Sequence, residues 1–129
     1  MPNGEWVATQ TITDSITGRD TYYGEVLSVD NDWMALSNAY DKRLDGEGNE
    51  LISAGSVHLS QKVNDKWVLK QVLFEENPVT YNNFGKYVAL KGDLLVVGIP
   101  NYQNQDGKNI GAITIFKKNE NVSTKIQSV

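Results

Sequence analysis

The chain of 129 residues has no cysteine and a single histidine. Without cysteine it has no disulfide, no thiol nucleophile and no zinc-thiolate site. No apolar run approaches the roughly 20 residues that a membrane-spanning helix needs. The first five residues also lack the basic and apolar stretches of an export signal. We therefore expect no membrane insertion.

Basic residues are also few. Twelve lysines and arginines stand against 16 acidic residues, which gives a formal net charge of −4. Nucleic-acid binding depends on clustered lysine and arginine, whereas here the basic residues are scattered and no more than two adjoin, as in Lys117-Lys118. We expect no nucleic-acid partner. The 40% of hydrophobic residues is enough to bury a core in a chain of this length.

What the sequence does have is an internal repeat, in which identical residues recur 61 positions apart. The identical pairs are Asn3 and Asn64, Trp6 and Trp67, Val7 and Val68, Gln10 and Gln71, Gly24 and Gly85, and Asp32 and Asp93. From Gly55 and Gly111 onwards the spacing falls to 56, so the first copy carries five extra residues between Tyr40 and Ala54. An insertion confined to a polar stretch is typical of a surface loop.

Each copy predicts four short β-strands and almost no helix. Aliphatic and β-branched runs alternate with turns rich in Gly, Asp and Asn, and no window holds a helical period. The predicted strands are 25–29, 33–37, 55–63 and 67–74, then 86–91, 94–99, 111–117 and 124–128, with a ninth strand, 5–12, before them. Four antiparallel strands per repeat are typical of a β-propeller blade.

The repeat resembles the FG-GAP repeat of integrin α-chain heads and many bacterial surface proteins. The resemblance rests on a Phe-Gly before the first strand, a Gly-x-Pro after the second, a glycine before the third and a Trp-x-x-x-Gln fourth strand. In this sequence the motif residues are Trp6, Gln10, Tyr23 and Gly24 in the first set, and Trp67, Gln71, Phe84, Gly85, Gly98, Pro100 and Gly111 in the second. The resemblance covers nearly the whole chain.

One feature of integrin-type repeats is missing. They hold calcium in an Asp-rich loop between the first two strands, but the turns 29–33 and 90–94 are too short to surround an ion. The sequence resembles the compact bacterial form, so we expect no metal and no cofactor. The acidic segment 41–50 lacks the alternate carboxylate spacing of a calcium loop and predicts a flexible polar insertion.

The resemblance implies an all-β unit spanning 1–129, with an extra outer strand and loop at 3–20, one four-stranded blade at 21–80 and a second at 81–129. Closed propellers use about 4 to 8 blades. Two blades therefore predict a homotrimer or homotetramer that closes head to tail, or else a fragment of a longer propeller. The extra strand would complete a neighbour's blade, although 124–128 fits the same position. We also expect core positions between blades, namely Trp6, Trp67, Phe116 and Trp33.

In such a meander, alternate connections emerge at one end. Loops 13–22 and 75–83 therefore share an end with loops 40–54 and 101–110, and the resemblance implies that this end contacts ligands. Its mixture of aromatic and polar side chains would suit a glycan or a protein surface. The candidate ligand-binding residues are Tyr22, Tyr40, Arg43, Asp45, Tyr81, Tyr102 and Asp106.

The leading interpretation is a non-enzymatic, lectin-like binding or assembly module, and the resemblance implies an extracellular or cell-surface location. Two alternatives are a propeller-fold enzyme acting on polysaccharide and a purely structural repeat. An enzyme would need convergent acids, whereas the adjacent Glu75 and Glu76 are expected to point apart. His58 lies on an alternating strand, where we expect it to be partly exposed. No catalytic residue can be assigned.

Overall fold

The structure, a computed structural model, describes residues 4–14, 22–119 and 122–128. Within these residues every regular element is a β-strand and every strand pairing is antiparallel. The first sheet has the order β1 (Leu27–Asp30), β2 (Trp33–Asn38), β5 (Ser56–Val63) and β6 (Lys66–Leu73). The second has the order β7 (Tyr87–Lys91), β8 (Leu94–Ile99), β9 (Ala112–Asn119) and β10 (Val122–Ser128). Between β2 and β5, the short strands β3 (Arg43–Leu44) and β4 (Glu50–Leu51) pair as a separate hairpin. The all-β prediction is confirmed.

The tight turns explain why these strands meander. Asn31 and Gly92, which begin the equivalent turns after β1 and β7, both have left-handed backbones, with φ of 52° and 59°. Between β5 and β6, Asn64 and Asp65 are left-handed at 50° and 64°. Two-residue hairpin turns with left-handed residues match the right-handed twist of the flanking strands. Asn, Asp and Gly adopt this backbone most readily and are therefore favoured there. Each turn therefore returns the chain antiparallel to itself.

The two sheets repeat each other bond by bond. The Gly24 amide donates to the Ser37 carbonyl at 3.0 Å, and the Gly85 amide donates to the Gly98 carbonyl at 3.2 Å. Two further pairs of amide-to-carbonyl hydrogen bonds are equivalent. At the turns, Lys62 donates to Asp32 as Lys118 does to Asp93, and at the loop entries Asp41 donates to Asn38 as Tyr102 does to Ile99. The sequence repeat is thus a repeat of backbone structure.

The predicted ninth strand, 5–12, is wrong: residues 4–14 form no strand. The side chain of Gln10 attaches them to β6: it accepts a hydrogen bond from the Trp67 amide at 2.9 Å and donates one to the Trp67 carbonyl at 3.0 Å. Asp14 also accepts a hydrogen bond from the Asn38 side chain at 3.1 Å. Side-chain hydrogen bonds here replace a backbone ladder. Trp6 is 99% exposed, so the prediction that it is a core residue is also wrong. A segment forms a strand only when it pairs with the edge of a sheet. The described residues contain no preceding sheet of which this segment would be the outer strand.

The core lies between the sheets. One face of the first sheet and the opposite face of the second contribute to a single buried cluster. From the first sheet come Trp33, Ala35, Val57, Leu59 and Leu73, and from the second sheet and its entry come Phe84, Leu95, Val97, Ile99 and Phe116. The Phe84 and Phe116 rings meet edge to face at 6.3 Å. The core predictions for Trp33 and Phe116 are confirmed, while Trp67 is half-buried.

The backbones on either side of the sheet boundary are in direct contact where Gly55 forms a parallel bridge with Phe84. A Cβ atom on Gly55 would lie 2.1 Å from the Phe84 carbonyl oxygen, and one on Gly85 would lie 2.7 Å from the Ser56 carbonyl oxygen. Both glycines also have left-handed backbones, with φ of 93° and 92°. Glycine at these two positions therefore lets backbone touch backbone across the sheet boundary.

No helix in the described part of the chain is long and apolar enough to cross a bilayer.

Candidate functional site

The strand order brings several loops to one end of the molecule, which we call the loop end: residues 22–26, 38–55, 74–86 and 100–111. Hydrogen bonds connect these loops across the sheet boundary. The Tyr81 amide donates to the Ile52 carbonyl at 2.8 Å. The Asn83 side chain donates to the Ala39 carbonyl at 3.1 Å and accepts from Asn101 at 2.7 Å. The loop end is therefore a connected surface. Residues 15–21 of the predicted loop 13–22 lie outside the described residues.

Two of the predicted residues, Tyr22 and Tyr40, meet edge to face with ring centroids 5.6 Å apart. The Lys86 ammonium donates to the Tyr40 hydroxyl at 2.6 Å and pairs with the Glu25 carboxylate at 3.0 Å. The hydrogen bond to Tyr40 is the larger cause, and the bond to Glu25 the second, of a Lys86 pKa raised well above its ordinary value. Tyr22 remains 71% exposed. We call these four residues the tyrosine cluster.

Arg43 forms a second group with Phe74 and Asp41. Its guanidinium lies 3.9 Å from the centroid of the Phe74 ring, and its Nη1 is 3.4 Å from Oδ2 of Asp41. Asp41 is 1% exposed and its Oδ2 also accepts a hydrogen bond from the Ser56 hydroxyl at 2.8 Å. Phe74 is 44% exposed. The buried carboxylate therefore fixes a cation over an aromatic ring that faces solvent.

Tyr81 and Tyr102, also predicted, differ in their surroundings. Tyr81 is 61% exposed and has a left-handed backbone, with φ of 64°. Tyr102 is half-buried and packs against the core. Its carbonyl accepts from the amides of Ile110 at 2.8 Å and Gly111 at 3.1 Å, which closes the loop between β8 and β9. Tyr81 is available to a ligand, whereas Tyr102 supports the loop.

Asp45 shapes a turn. Its Oδ1 accepts from the amides of Glu47 at 2.8 Å and Asn49 at 2.9 Å, and hydrogen bonds from Asn49 and Glu47 lower its pKa. This turn joins β3 (Arg43–Leu44) to β4 (Glu50–Leu51), so the segment 41–50 is a hairpin where the sequence predicted a flexible insertion. The turn signal, Asp45 followed by Gly46 and Gly48, was present in the sequence.

Asp106 sits in the equivalent turn of the second copy. There the side chain of Asn104 accepts from the Asp106 amide at 2.9 Å and from the Lys108 amide at 3.1 Å. Asn104 therefore takes the place of Asp45, 59 positions away. The five extra residues of the first copy are consequently divided, two before the turn and three after it. Asp106 itself is exposed at the tip.

Sequence reasoning missed Lys86, Glu25 and Phe74. Lys86 belongs to a predicted strand and Glu25 to another, and nothing local in the sequence indicates that the two side chains meet across the sheet boundary. Phe74 ends a predicted strand, so its position at the loop end could be read from topology. Its stacking partner could not.

His58 is only 3% exposed, which corrects the prediction that it is partly exposed. The Tyr23 ring lies 5.1 Å away, and an open cavity of about 250 Å³ beside both is also lined by Gln10, Ile12 and Trp67. Burial lowers the pKa of His58, and the charges of Asp14 and Asp41 oppose that shift. The residues 10–13 cover a strand position that would otherwise face solvent.

Among the described residues no three His, Asp or Glu side chains are close enough to hold a metal ion. The loop end carries exposed aromatic rings and charged side chains that are held by hydrogen bonds and ion pairs. Compared with known proteins, the chain matches no protein-family model and no curated protein sequence.

Proposed function

We propose that this chain is a non-enzymatic recognition module of the β-propeller type, which binds a glycan through its loop end. The tyrosine cluster carries the proposal. Tyr22 is 71% exposed, while its ring packs in an edge-to-face pair with Tyr40. Tyr40 is in turn held by Lys86 and Glu25. A ring that is already ordered loses little entropy when a ligand stacks on it.

The chemistry of the loop end fits a sugar. Sugar rings have apolar C–H faces, which stack on exposed aromatic rings, and hydroxyl groups, which hydrogen bond to charged side chains. The loop end supplies rings at Tyr22, Tyr81 and Phe74, and charges at Lys86 and Arg43. Exposed aromatic and apolar side chains concentrated in one region mark an interaction surface.

The blade interpretation is supported by the two four-stranded antiparallel sheets, their equivalent hydrogen bonds and the glycine contact at the Phe84-Gly85 motif. Successive sheets that pack face to face, with long loops at one end, are the arrangement that propeller blades adopt. Because propellers have many functions, the proposed recognition role depends on the loop end and not on the fold.

The test is a glycan array screen, followed by calorimetry of the strongest ligand with wild type, Tyr22→Ala and Trp6→Ala. Trp6 is an exposed aromatic residue outside the loop end and serves as the matched control. We expect Tyr22→Ala to weaken binding about tenfold, since truncation of an aromatic contact residue costs on the order of 1.4 kcal/mol. Trp6→Ala should leave the affinity unchanged. An array without a ligand, or a ligand insensitive to Tyr22→Ala, would contradict the proposal.

A further inference from the structure

The interface between the two sheets joins unlike faces, and each sheet has one face left over. The first sheet packs through Trp33, Ala35, Val57 and Leu59. The repeat equivalents of these four residues lie on one face of the second sheet and are Leu94, Val96, Ile113 and Ile115. Trp33 and Val57 are 7% and 0% exposed, but Leu94 and Ile113 are 42% and 40% exposed. The second sheet therefore shows to solvent the face that the first sheet buries.

The free face of the first sheet is the equivalent of the face that the second sheet buries in the core. An open cavity of about 350 Å³ lies on its free face. Five of the side chains that line it are Ile12, Tyr23, Leu27, Met34 and Leu36. Their repeat equivalents are Leu73, Phe84, Val88, Leu95 and Val97, and every one of these belongs to the core between the sheets or packs against it. The cavity is thus the unfilled counterpart of that core.

The backbone at both faces is set for the same contact. Tyr22 and Gly24 have φ of 52° and 83°, and their equivalents Asn83 and Gly85 have φ of 59° and 92°. The backbone that leads through Tyr23-Gly24 into the first sheet therefore has the same conformation as the backbone that leads through Phe84-Gly85 into the second.

The position on which Phe84 rests is repeated as well. Gly111 is the equivalent of Gly55 and is also left-handed, with φ of 71°. A Cβ on Gly55 would meet the Phe84 backbone, whereas a Cβ on Gly111 would have only the Pro100 carbonyl oxygen near it, at 3.5 Å. Beside Gly111 runs an open apolar groove of about 430 Å³, which Ile113 and Pro100 also line. The groove is the unoccupied copy of the Phe84 seat.

We infer that the occupant of each free face is a second copy of this chain. The second sheet of one copy docks on the first sheet of the next, Tyr23-Gly24 of the latter resting on Gly111 of the former. Because the joined faces are unlike, the contact is head to tail, and repetition closes it into a ring of three or four copies, with six or eight sheets. The inference rests on the blade interpretation in the proposed function and needs no ligand.

One consequence concerns the outer edge. Residues 4–14 lie against β6 through Gln10, as the outer strand of a preceding sheet would. In a docked pair the neighbour's β10 is the outer strand of that preceding sheet. Residues 4–14 of one copy and β10 of its neighbour thus fit the same place, and only one of them stays there when two copies join.

The test uses two variants, each with one face blocked. Leu27→Lys places a charge on the free face of the first sheet, and Ile113→Lys places one on that of the second. Both residues are exposed in the single chain, at 56% and 40%, so neither change should unfold it. Leu44→Lys, at a residue that is 61% exposed in the hairpin of β3 and β4 and lines neither free-face cavity, is the control. Mass is measured by light scattering after size exclusion.

We expect a trimer or tetramer of the 14.4 kDa chain for wild type and Leu44→Lys, and monomers for the two blocked variants. An equimolar mixture of the blocked variants should give a heterodimer, because one intact face remains on each. A monomeric wild type, a mixture that stays monomeric, or an assembly lost in only one blocked variant would overturn the inference.

A further variant, Gly111→Ala, separates docking from folding. Gly111→Ala adds a methyl group that the single chain can accommodate, but that would strike the neighbour's backbone in the docked seat. We expect a folded monomer with an unchanged circular dichroism spectrum, and an oligomeric Gly111→Ala would overturn the inference. Glycan binding by these monomers tests the proposed function separately, since the loop-end residues Tyr22 and Lys86 are unchanged in them.

Discussion

At the scale of single residues, the most constrained position is Gly55. Its left-handed backbone disfavours any side chain, and the Phe84 backbone fills the space that a Cβ would need. Its repeat equivalent, Gly111, has the same backbone strain but no such obstacle in the single chain. The pair therefore separates the cost of backbone strain from the cost of a clash.

We predict that Gly55→Ala lowers the free energy of unfolding by about 2 kcal/mol or more beyond the effect of Gly111→Ala. Alanine at a left-handed position costs on the order of 1 kcal/mol in both variants, and only Gly55→Ala also forces the sheets apart. The measurement is urea unfolding at equal protein concentration, with both variants held monomeric by Leu27→Lys. Equal losses in the two variants would contradict the role assigned to the Gly55 contact.

Residue identities alone pointed to part of the candidate site. Tyr22, Tyr40 and Tyr81 were selected as loop aromatics, and the structure places all three at the loop end. Asp45 looked the same in sequence as a ligand-binding carboxylate, but it is used within its own turn. Whether a loop carboxylate is free depends on neighbouring amides, which residue identity does not reveal.

At the scale of elements, side-chain hydrogen bonds hold the N-terminal segment where a backbone ladder is absent. The amide of Gln10 makes two hydrogen bonds to the backbone of Trp67, both of them exposed to solvent. Exposed hydrogen bonds contribute little net stability because water competes for the same groups. The part of the segment around Gln10 should therefore be released without unfolding the sheets, while Asp14 keeps its hydrogen bond from Asn38.

We predict that Gln10→Ala speeds hydrogen exchange of the Trp67 amide, which donates to Gln10, while the amides of β5 and β8 keep their protection. Global stability should fall by less than about 1 kcal/mol, as expected for a solvent-exposed pair. Thr9→Ala is the control, since it leaves Gln10 in place. Exchange followed by NMR would refute this anchor if Trp67 stayed protected in Gln10→Ala.

The eight strands of the two sheets were predictable because their hydrophobic runs end at strong turn signals, such as Asn64-Asp65. The segment 5–12 carries the same local pattern as β6 but forms no strand. A suitable local sequence pattern allows a strand, but the strand forms only when a neighbouring sheet edge is available for pairing. The hairpin of β3 and β4 could not be predicted, because its strands are only two residues long and no alternation of hydrophobic residues shows over that length.

At the scale of the whole molecule, the two sheets share one core and should unfold together. Val97 of the second sheet is 0% exposed and belongs to the same cluster as Trp33 of the first. Removing methyl groups from one side of a packed core removes contacts from the other side as well. A single cooperative transition is therefore expected.

We predict that Val97→Ala destabilises the chain by about 2 kcal/mol, on the basis of buried methyl groups lost. Tryptophan fluorescence, which reports on the first sheet through Trp33, should shift its urea midpoint together with the circular dichroism signal. Val68→Ala, at a residue 41% exposed on β6, should change the midpoint little. Separate midpoints for the two signals would show that the sheets unfold independently.

The contact of Gly55 with Phe84 also bears on how freely this sequence can change. Because main chain touches main chain there, the spacing of the sheets is fixed by atoms that every amino acid carries, while the packed side chains fill the space that remains. The equivalent faces already illustrate this latitude, since His58 and Ser60 stand where Thr114 and Phe116 stand in the second sheet. Substitutions on these faces can therefore alter chemistry and stability while the backbone contact of Gly55 with Phe84 is preserved.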